Sequence, residues 1–242
     1  MVQFFGFFIL KDPIQAAIVA AFLLLPQTIV ATFIHNHAHV PIFRGDIANR
    51  ILNLFLFLET GMLVSGYALY HIWGHHKLYL DPHKDPSRWV RADGSSMSHL
   101  EFVIRYFFSY PFKTIRIGKS YPKLRSRVDQ DLVIAAIALT ALLVWNPINA
   151  LILFVTPIIL VWITFIGISY DDHVGLHGTN HYDASHTKTN PVINFLFFNN
   201  GYHLAHHVNP SVHWSELPEF HESIKHKIPE LEPHTLVNRI FK

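Results

Sequence analysis

Cysteine is absent from all 242 residues of the chain. Disulfides, zinc ribbons, thiolate-held iron–sulfur clusters and thiol catalysis are therefore excluded, and the redox compartment has no signature in the sequence. Charge is also scarce. Asp, Glu, Lys and Arg make up 15% of the chain with a formal net charge of +2, and the basic residues follow loops instead of forming a nucleic-acid-binding stripe. No H-E-x-x-H pair occurs, so the usual helix-borne zinc hydrolase site is missing. What the chain has instead is 50% apolar residues and 19 histidines.

The apolar residues fall in long runs. Residues 14–34 carry no charge and are long enough to cross a bilayer core of roughly 30 Å as a helix. Pro26 is tolerable there, because kinks are common in membrane helices. Lys11 follows an apolar FFGFFIL and no small-residue cleavage site is evident, so the segment reads as an anchor and not as a signal peptide. Residues 51–70 could also cross, with Glu59 as their only charge. A simple crossing would put the histidines before and after it on opposite faces, so a re-entrant or interfacial segment is expected, bent at Gly61 or Gly66. Glu59 is a candidate functional residue, since a carboxylate at membrane depth needs a partner; an interfacial glutamate facing water is the alternative. Residues 132–168 form a transmembrane hairpin turning at Asn146-Pro147. The stretch FVIRYFFSYPFKTIRIGK reads as an amphipathic surface helix, with Arg105, Lys113, Arg116 and Lys119 at headgroup level.

The expected fold is thus an all-α integral membrane protein, one domain over 1–242, with few transmembrane helices and a histidine-rich cap. One crossing and one hairpin leave 35–130 and 169–242 on the same side. Nearly all Lys and Arg lie in those regions, which makes that side cytoplasmic.

The histidines are clustered. His35 and His39 stand four apart in HNHAH; His71, His75 and His76 form H-x-x-x-H-H; His203, His206 and His207 form H-x-x-H-H; and DHVGLHGTNHYDASH carries His173, His177, His181 and His186. Spacings of three and four place side chains on one helix face, and neutral imidazole is the commonest nitrogen ligand of transition metals. Nine of these histidines (35, 39, 71, 75, 76, 173, 203, 206 and 207) exceed what one ion takes, and two ions sharing them fit the number. All-nitrogen ligation suits oxygen-activating non-haem iron, and a membrane anchor beside it implies an apolar, long-chain substrate. A histidine-rich metal transporter is the competing class. It would place ionisable residues near the middle of its crossings, where this chain has almost none.

H-x-x-x-H, H-x-x-x-H-H and H-x-x-H-H, in that order and around membrane segments, resemble the three histidine boxes of the membrane fatty acid desaturase and hydroxylase superfamily. HNHAHVPIFR resembles the first box of its bacterial desaturase-like group, and TNPVINFLFFNNGYHLAHHVNPSVHWSELPEFH resembles that group's C-terminal signature. The likeness runs over residues 30–222. It implies two iron ions as cofactor, O2 as co-substrate and a fatty acyl or other long-chain lipid as substrate. Desaturation is the expected outcome; hydroxylation, ketone formation or oxidative decarboxylation are the alternatives. It also implies a bacterial plasma membrane and a separate electron carrier of ferredoxin, rubredoxin or cytochrome b5 type, because no H-P-G-G haem motif and no cysteine ligand is present. Relatives carry a further ligand in a form like N-Y-x-Q-H; the equivalent here is SYDDH, which gives His173, with His177 one turn on as its rival. Asn199, Asn200 and Tyr202 match family positions and are expected to orient ligands or water.

The remaining polar residues have plainer readings. His37 is expected to support the site or face solvent, and His83 and His99 to be solvated. His181 and His186 are expected at the surface, and His213, His221, His226 and His234 to be structural. Asp81 and Asp85 are equally good as loop acids or as carboxylates bonded to ligating imidazoles.

Overall fold

The computed structural model describes residues 2–81 and 83–229; His234 lies outside them. Among the described residues the chain is helical, with one isolated bridge between Val90 and Ser96. It packs as two compact units, the first made of residues 2–67 and 118–165 and the second of 68–117 and 166–229.

The first unit begins with α1 (Val2–Ile9) and α2 (Pro13–His39). Asp12 caps α2 by accepting the Ile14 N–H at 2.9 Å, and Pro13 occupies the first turn, where its missing N–H costs nothing. The helix runs through Pro26 for 27 residues and ends at the histidine pair. After a short loop, α3 (Asp46–Thr60) stops at Gly61, whose φ of 74° lies in the left-handed region. A side chain at Gly61 would also overlap Ile158. The following helix α4 (Val64–Tyr70) sets off at 85° to α3, so the apolar run over 51–70 is broken at Gly61. The unit is completed by α6 (Pro122–Trp145), α7 (Pro147–Ala150) and the start of α8 (Thr156–His173), while α5 (His99–Gly118) lies between the two stretches of chain that form it. Asn146 ends α6 and caps the next turn by accepting the Asn149 N–H. Asn149 in turn donates to the Phe7 and Leu10 carbonyls at 3.1 and 2.8 Å, tying the hairpin to α1.

Two apolar clusters fill this unit, one around Ile34, Leu56, Met62, Tyr67 and Phe165 and one around Phe7, Leu58, Leu153 and Phe154. Outside them, α6 turns most of its apolar surface outward: Val144 and Trp145 are 80% and 75% exposed. An unpaired apolar face of that length belongs against lipid. Among the described residues three helices, over Pro13–His39, Pro122–Trp145 and Pro147–His173, are long and apolar enough to cross a membrane, and the bent pair makes up to four. Glu59 is half-buried and receives the Gln27 amide at 3.4 Å, while Gln27 also donates to Gln3. That is the interior partner a carboxylate in apolar surroundings needs.

In the second unit the chain continues from α4 into a wide π turn, His71–His76, then a loop with few regular elements, then α5. α8 delivers His173 as its last residue. Short helices α9 (Pro191–Leu196), α10 (His203–Val208) and α11 (Leu217–Ile224) complete it around Leu204, Ala205, Leu217 and Ile224. On α5, Lys113 does not extend freely from the helix but is half-buried, with Nζ donating to the Pro86 carbonyl at 2.7 Å.

Candidate metal centre

Among the described residues of the second unit, seven imidazoles converge from three places in the sequence. The ligand nitrogens of His75, His173, His203 and His207 all lie within 4.8 Å of one another, as do those of His71, His76 and His206. The first four are fully buried, and so are His71 and His206; His76 is half-buried.

Local structure explains the aim of each side chain. A π turn widens the helix at His71–His76, so a spacing that would otherwise follow the α-helical repeat brings His71 Nε2 and His76 Nε2 to 3.0 Å. In α10, His203 and His207 are one turn apart and their Nε2 atoms are 3.0 Å from each other. His206 points to the other group, 3.0 Å from His76 Nε2. Gly201 is needed just before this helix, since a Cβ there would overlap the Lys188 carbonyl and the Asn194 side chain. Asn194 holds the same turn by donating to the Lys188 carbonyl and accepting the Gly201 N–H.

Hydrogen bonding on the far side of two rings settles which nitrogen carries a proton. His173 Nδ1 donates to the Ala184 carbonyl at 2.9 Å, since a carbonyl can only accept. His75 Nδ1 donates to the Asp85 carboxylate at 3.0 Å. Burial pushes the pKa of His173 down to about 3, so that ring is neutral and its Nε2 presents a lone pair, which faces His75 Nε2 at 3.2 Å. His203 Nε2 stands 3.1 Å from the same His173 nitrogen. Ring nitrogens gathered this closely and buried away from water form a ready donor set, and a cation at their focus would be held by all of them. Nitrogens bound to one metal at about 2.1 Å lie about 3.0–3.4 Å apart in octahedral or tetrahedral arrangements, which is the spacing found. Burial, and then the imidazoles of His76, His203, His173 and His75, push the pKa of His207 well below the ordinary histidine value, so it too stays neutral and able to ligate.

The carboxylate partners separate as the sequence could not foretell. Asp85 is buried, bonded to His75 and to the Ser87 N–H at 2.8 Å, and holds the ring's orientation. Asp81 stays in the loop, accepting from His83 and Lys84. Asp172 pairs with Lys188 at 2.7 Å, and its backbone carbonyl accepts the His186 N–H. Two residues went unnoticed in the sequence. One is Asn194, just described. The other is Tyr79, whose ring lies 4.4 Å from that of His207 and whose hydroxyl bonds to His181. Its position four residues after His75 was the available signal.

The other candidates fall as follows. His177 packs its ring on Trp89 and is not among the seven. His186 is buried, against the expectation of surface exposure, and donates from Nε2 to the Val174 carbonyl at 2.8 Å. His99 packs on Tyr170. Asn199 has a φ of 56° and donates to the Trp214 carbonyl; Asn200 bonds through its backbone to Phe197; Tyr202 precedes α10 and packs on His221. These contacts shape the turn that carries the third histidine box. In the first unit, His35 and His39 are one turn apart at the end of α2 with ring centroids 5.3 Å apart, and His35 packs on Tyr67. His37 points elsewhere. It accepts the Ile42 N–H at Nδ1 and donates from Nε2 to Asn53, so neither nitrogen is left for a metal.

No curated protein and no solved structure matches the chain. The fatty acid desaturase family matches residues 13–237, nearly the whole chain and all three histidine boxes. With its apolar membrane-length helices and its buried imidazole clusters, this protein belongs to the membrane fatty acid desaturase family, whose members are oxidoreductase-type enzymes.

Proposed function

We propose that the chain is an oxygen-dependent di-iron enzyme acting on a fatty acyl or related long-chain lipid, and that its reaction is desaturation. The observation that carries this reading is the convergence of buried imidazole nitrogens, with His75 Nε2 and His203 Nε2 at 3.2 and 3.1 Å from His173 Nε2. The ligand set is His35, His39, His71, His75, His76, His173, His203, His206 and His207. His35 and His39 enter it on their spacing and on the family likeness of HNHAHVPIFR. His173 enters in preference to His177 because its Nε2 faces His75 and His203, whereas His177 packs on Trp89.

Bound iron would supply what no side chain can, activation of O2 toward an unactivated C–H bond. The chain's own residues position and insulate. Asp85 and the Ala184 carbonyl fix the tautomers of His75 and His173 and make their Nε2 atoms better donors. Tyr79 shields His207, and burial, then the Asp183 carboxylate, keep its hydroxyl protonated. Asn199, Asn200 and Tyr202 hold the turn before α10, and through it His203, His206 and His207. The apolar run broken at Gly61 fits a re-entrant segment. With Lys and Arg concentrated beside the histidine boxes, the centre is assigned to the cytoplasmic side, and the likeness of HNHAHVPIFR to bacterial relatives supports a bacterial plasma membrane.

Electrons come from a separate carrier of ferredoxin, rubredoxin or cytochrome b5 type, docking on exposed cations around the α5–α6 turn. Arg125 and Arg127 there already pair with Asp129, Asp131 and Asp46, which leaves Lys119 and Lys123, both exposed, as the docking charges.

The test is a lipid profile by gas chromatography–mass spectrometry of aerated cells expressing the wild type or His206→Ala with a supplied carrier. New double bonds with the wild type alone are expected. Hydroxy products would retain the centre and change the reaction, and equal products from the His206→Ala variant would end the proposal.

A further inference from the structure

A cleft of about 610 Å³ opens in the second unit between the 83–97 loop and α5. Five cations line it: Lys84, Arg88, Arg105, Lys113 and Arg116. Lys84 and Arg105 are partly balanced by Asp81 and Glu101, at 2.8 and 2.9 Å. Lys113 has only a neutral partner among its hydrogen bonds, the Pro86 carbonyl. Burial lowers its pKa, Asp85 opposes that, and Arg88 and Arg116 lower it further. Among the described residues Asp85 is the single acid in the lining, and its carboxylate is already taken up by His75 and Ser87.

The same helix carries an apolar ridge. Leu100, Ile104, Phe108 and Phe112 recur every fourth residue of α5 and are 68%, 49%, 67% and 72% exposed. Phe108 and Phe112 also line the cleft. A helix that turns bare phenylalanines outward beside arginines has the composition of one lying in the headgroup layer, its apolar side in the acyl region. There the cleft would sit at the depth of lipid phosphates. Guanidinium groups bind phosphate oxygens with charge-assisted, often bidentate hydrogen bonds. The volume suits a headgroup better than a protein face, because protein partners bind over broad surfaces and small ligands in concave sites of this size.

From this juxtaposition we propose that the cleft binds the phosphate of an anionic phospholipid headgroup, so that the acyl chain reaches the centre while still carried on a phospholipid. The step from bound lipid to substrate rests on the acyl-lipid reading above; the binding site itself does not. Asp85 gives the cleft a direct neighbour in the centre, because the same residue lines the first and orients His75 in the second.

The test uses the full chain in a neutral detergent, stripped of metal by a chelator, with short-chain phosphatidylglycerol as the probe and inorganic phosphate as its competitor. Arg88→Gln/Arg116→Gln is expected to weaken phosphatidylglycerol binding at least tenfold. Lys119→Gln/Lys123→Gln, an equal change of charge outside the cleft, is expected to change it less than twofold. Equal loss in both pairs would reduce the effect to net charge and overturn the site. Inorganic phosphate binding as tightly as the lipid would make it a free-phosphate site and overturn the lipid assignment. Unchanged lipid binding in Arg88→Gln/Arg116→Gln, together with lost binding of an acidic ferredoxin, would reassign the cleft to the carrier. Iron content of the same variants after reloading separates the two readings. Failed lipid binding with normal iron overturns only the cleft, and normal lipid binding by a wild type that takes up no iron overturns only the metal centre.

Discussion

His75 Nε2 and His173 Nε2 face each other at 3.2 Å, and each ring donates from Nδ1 on its opposite side, to Asp85 and to the Ala184 carbonyl. The relationship ties a loop carboxylate and a loop carbonyl to the electronic state of a buried cluster. It also says which neighbours matter most. A group that fixes a tautomer controls whether a lone pair is offered at all.

Asp85→Asn is the sharpest probe of that dependence. The amide keeps the size and can still accept from Nδ1, but it loses the charge that raises ring basicity. Metal affinity is expected to fall about 10–100-fold, the usual consequence of losing such a partner. Iron titration of the purified protein by a colorimetric chelator assay checks it. Asp81→Asn is the matched control, and unchanged iron binding is expected there because Asp81 serves only the loop.

His37 should behave in the opposite way to its neighbours. Both its nitrogens are used in joining the end of α2 to the following loop and to Asn53 of α3. His37→Phe removes the partners of the half-buried Asn53 amide oxygen and of the Ile42 N–H, at a cost of about 1 kcal/mol for each bond. The expected result is a lower melting temperature in detergent with iron stoichiometry unchanged. Iron lost in proportion to His35→Ala would show that His37 belongs to the ligand set instead.

Much of this was open to view in the sequence, and the reason is periodicity. The long uncharged runs and the three-and-four spacing of the histidines depend on local geometry alone, and the family match over residues 13–237 agrees with the likeness those boxes carried. What stayed hidden depends on contacts between distant residues. Asp81 and Asp85 are equivalent by sequence and separate only because the loop folds Asp85 inward onto His75. His186 sits in a turn-rich stretch that reads as surface, yet its backbone N–H bonds to Asp172 and its ring is buried against Val174. Lys113 has the spacing of a headgroup lysine, and nothing in that spacing shows its bond to the Pro86 carbonyl. The π turn at His71–His76 is likewise invisible in composition, although the convergence of His71 and His76 depends on it.

Gly201→Ala tests how tightly the third box is held. Its added carbon would collide with the Lys188 carbonyl, a backbone atom that cannot simply swing aside, and with Asn194. The turn must shift, and His203 and His206 follow it. Iron content and activity are expected to fall together by tenfold or more, with the protein still in the membrane fraction. Ala at Gly45, where nothing lies within 4 Å of the added carbon, is expected to leave both unchanged.

Acid sensitivity should trace partly to His221, buried against Tyr202 beneath the third box. Burial lowers its pKa from the ordinary 6.5, Lys225 adds to this and Glu222 opposes it. A depressed folded pKa means the unfolded chain takes up the proton first. The contribution of His221 to stability is therefore complete above pH 6.5 and declines as pH falls below that value toward the folded pKa. His221→Phe keeps a ring against Tyr202 and removes the titration. Melting temperatures in detergent at pH 7.5 and 5.5 are expected to differ less for this variant than for the wild type. An unchanged difference would mean that His221 takes no part in the acid response and that the fall in stability arises at other groups.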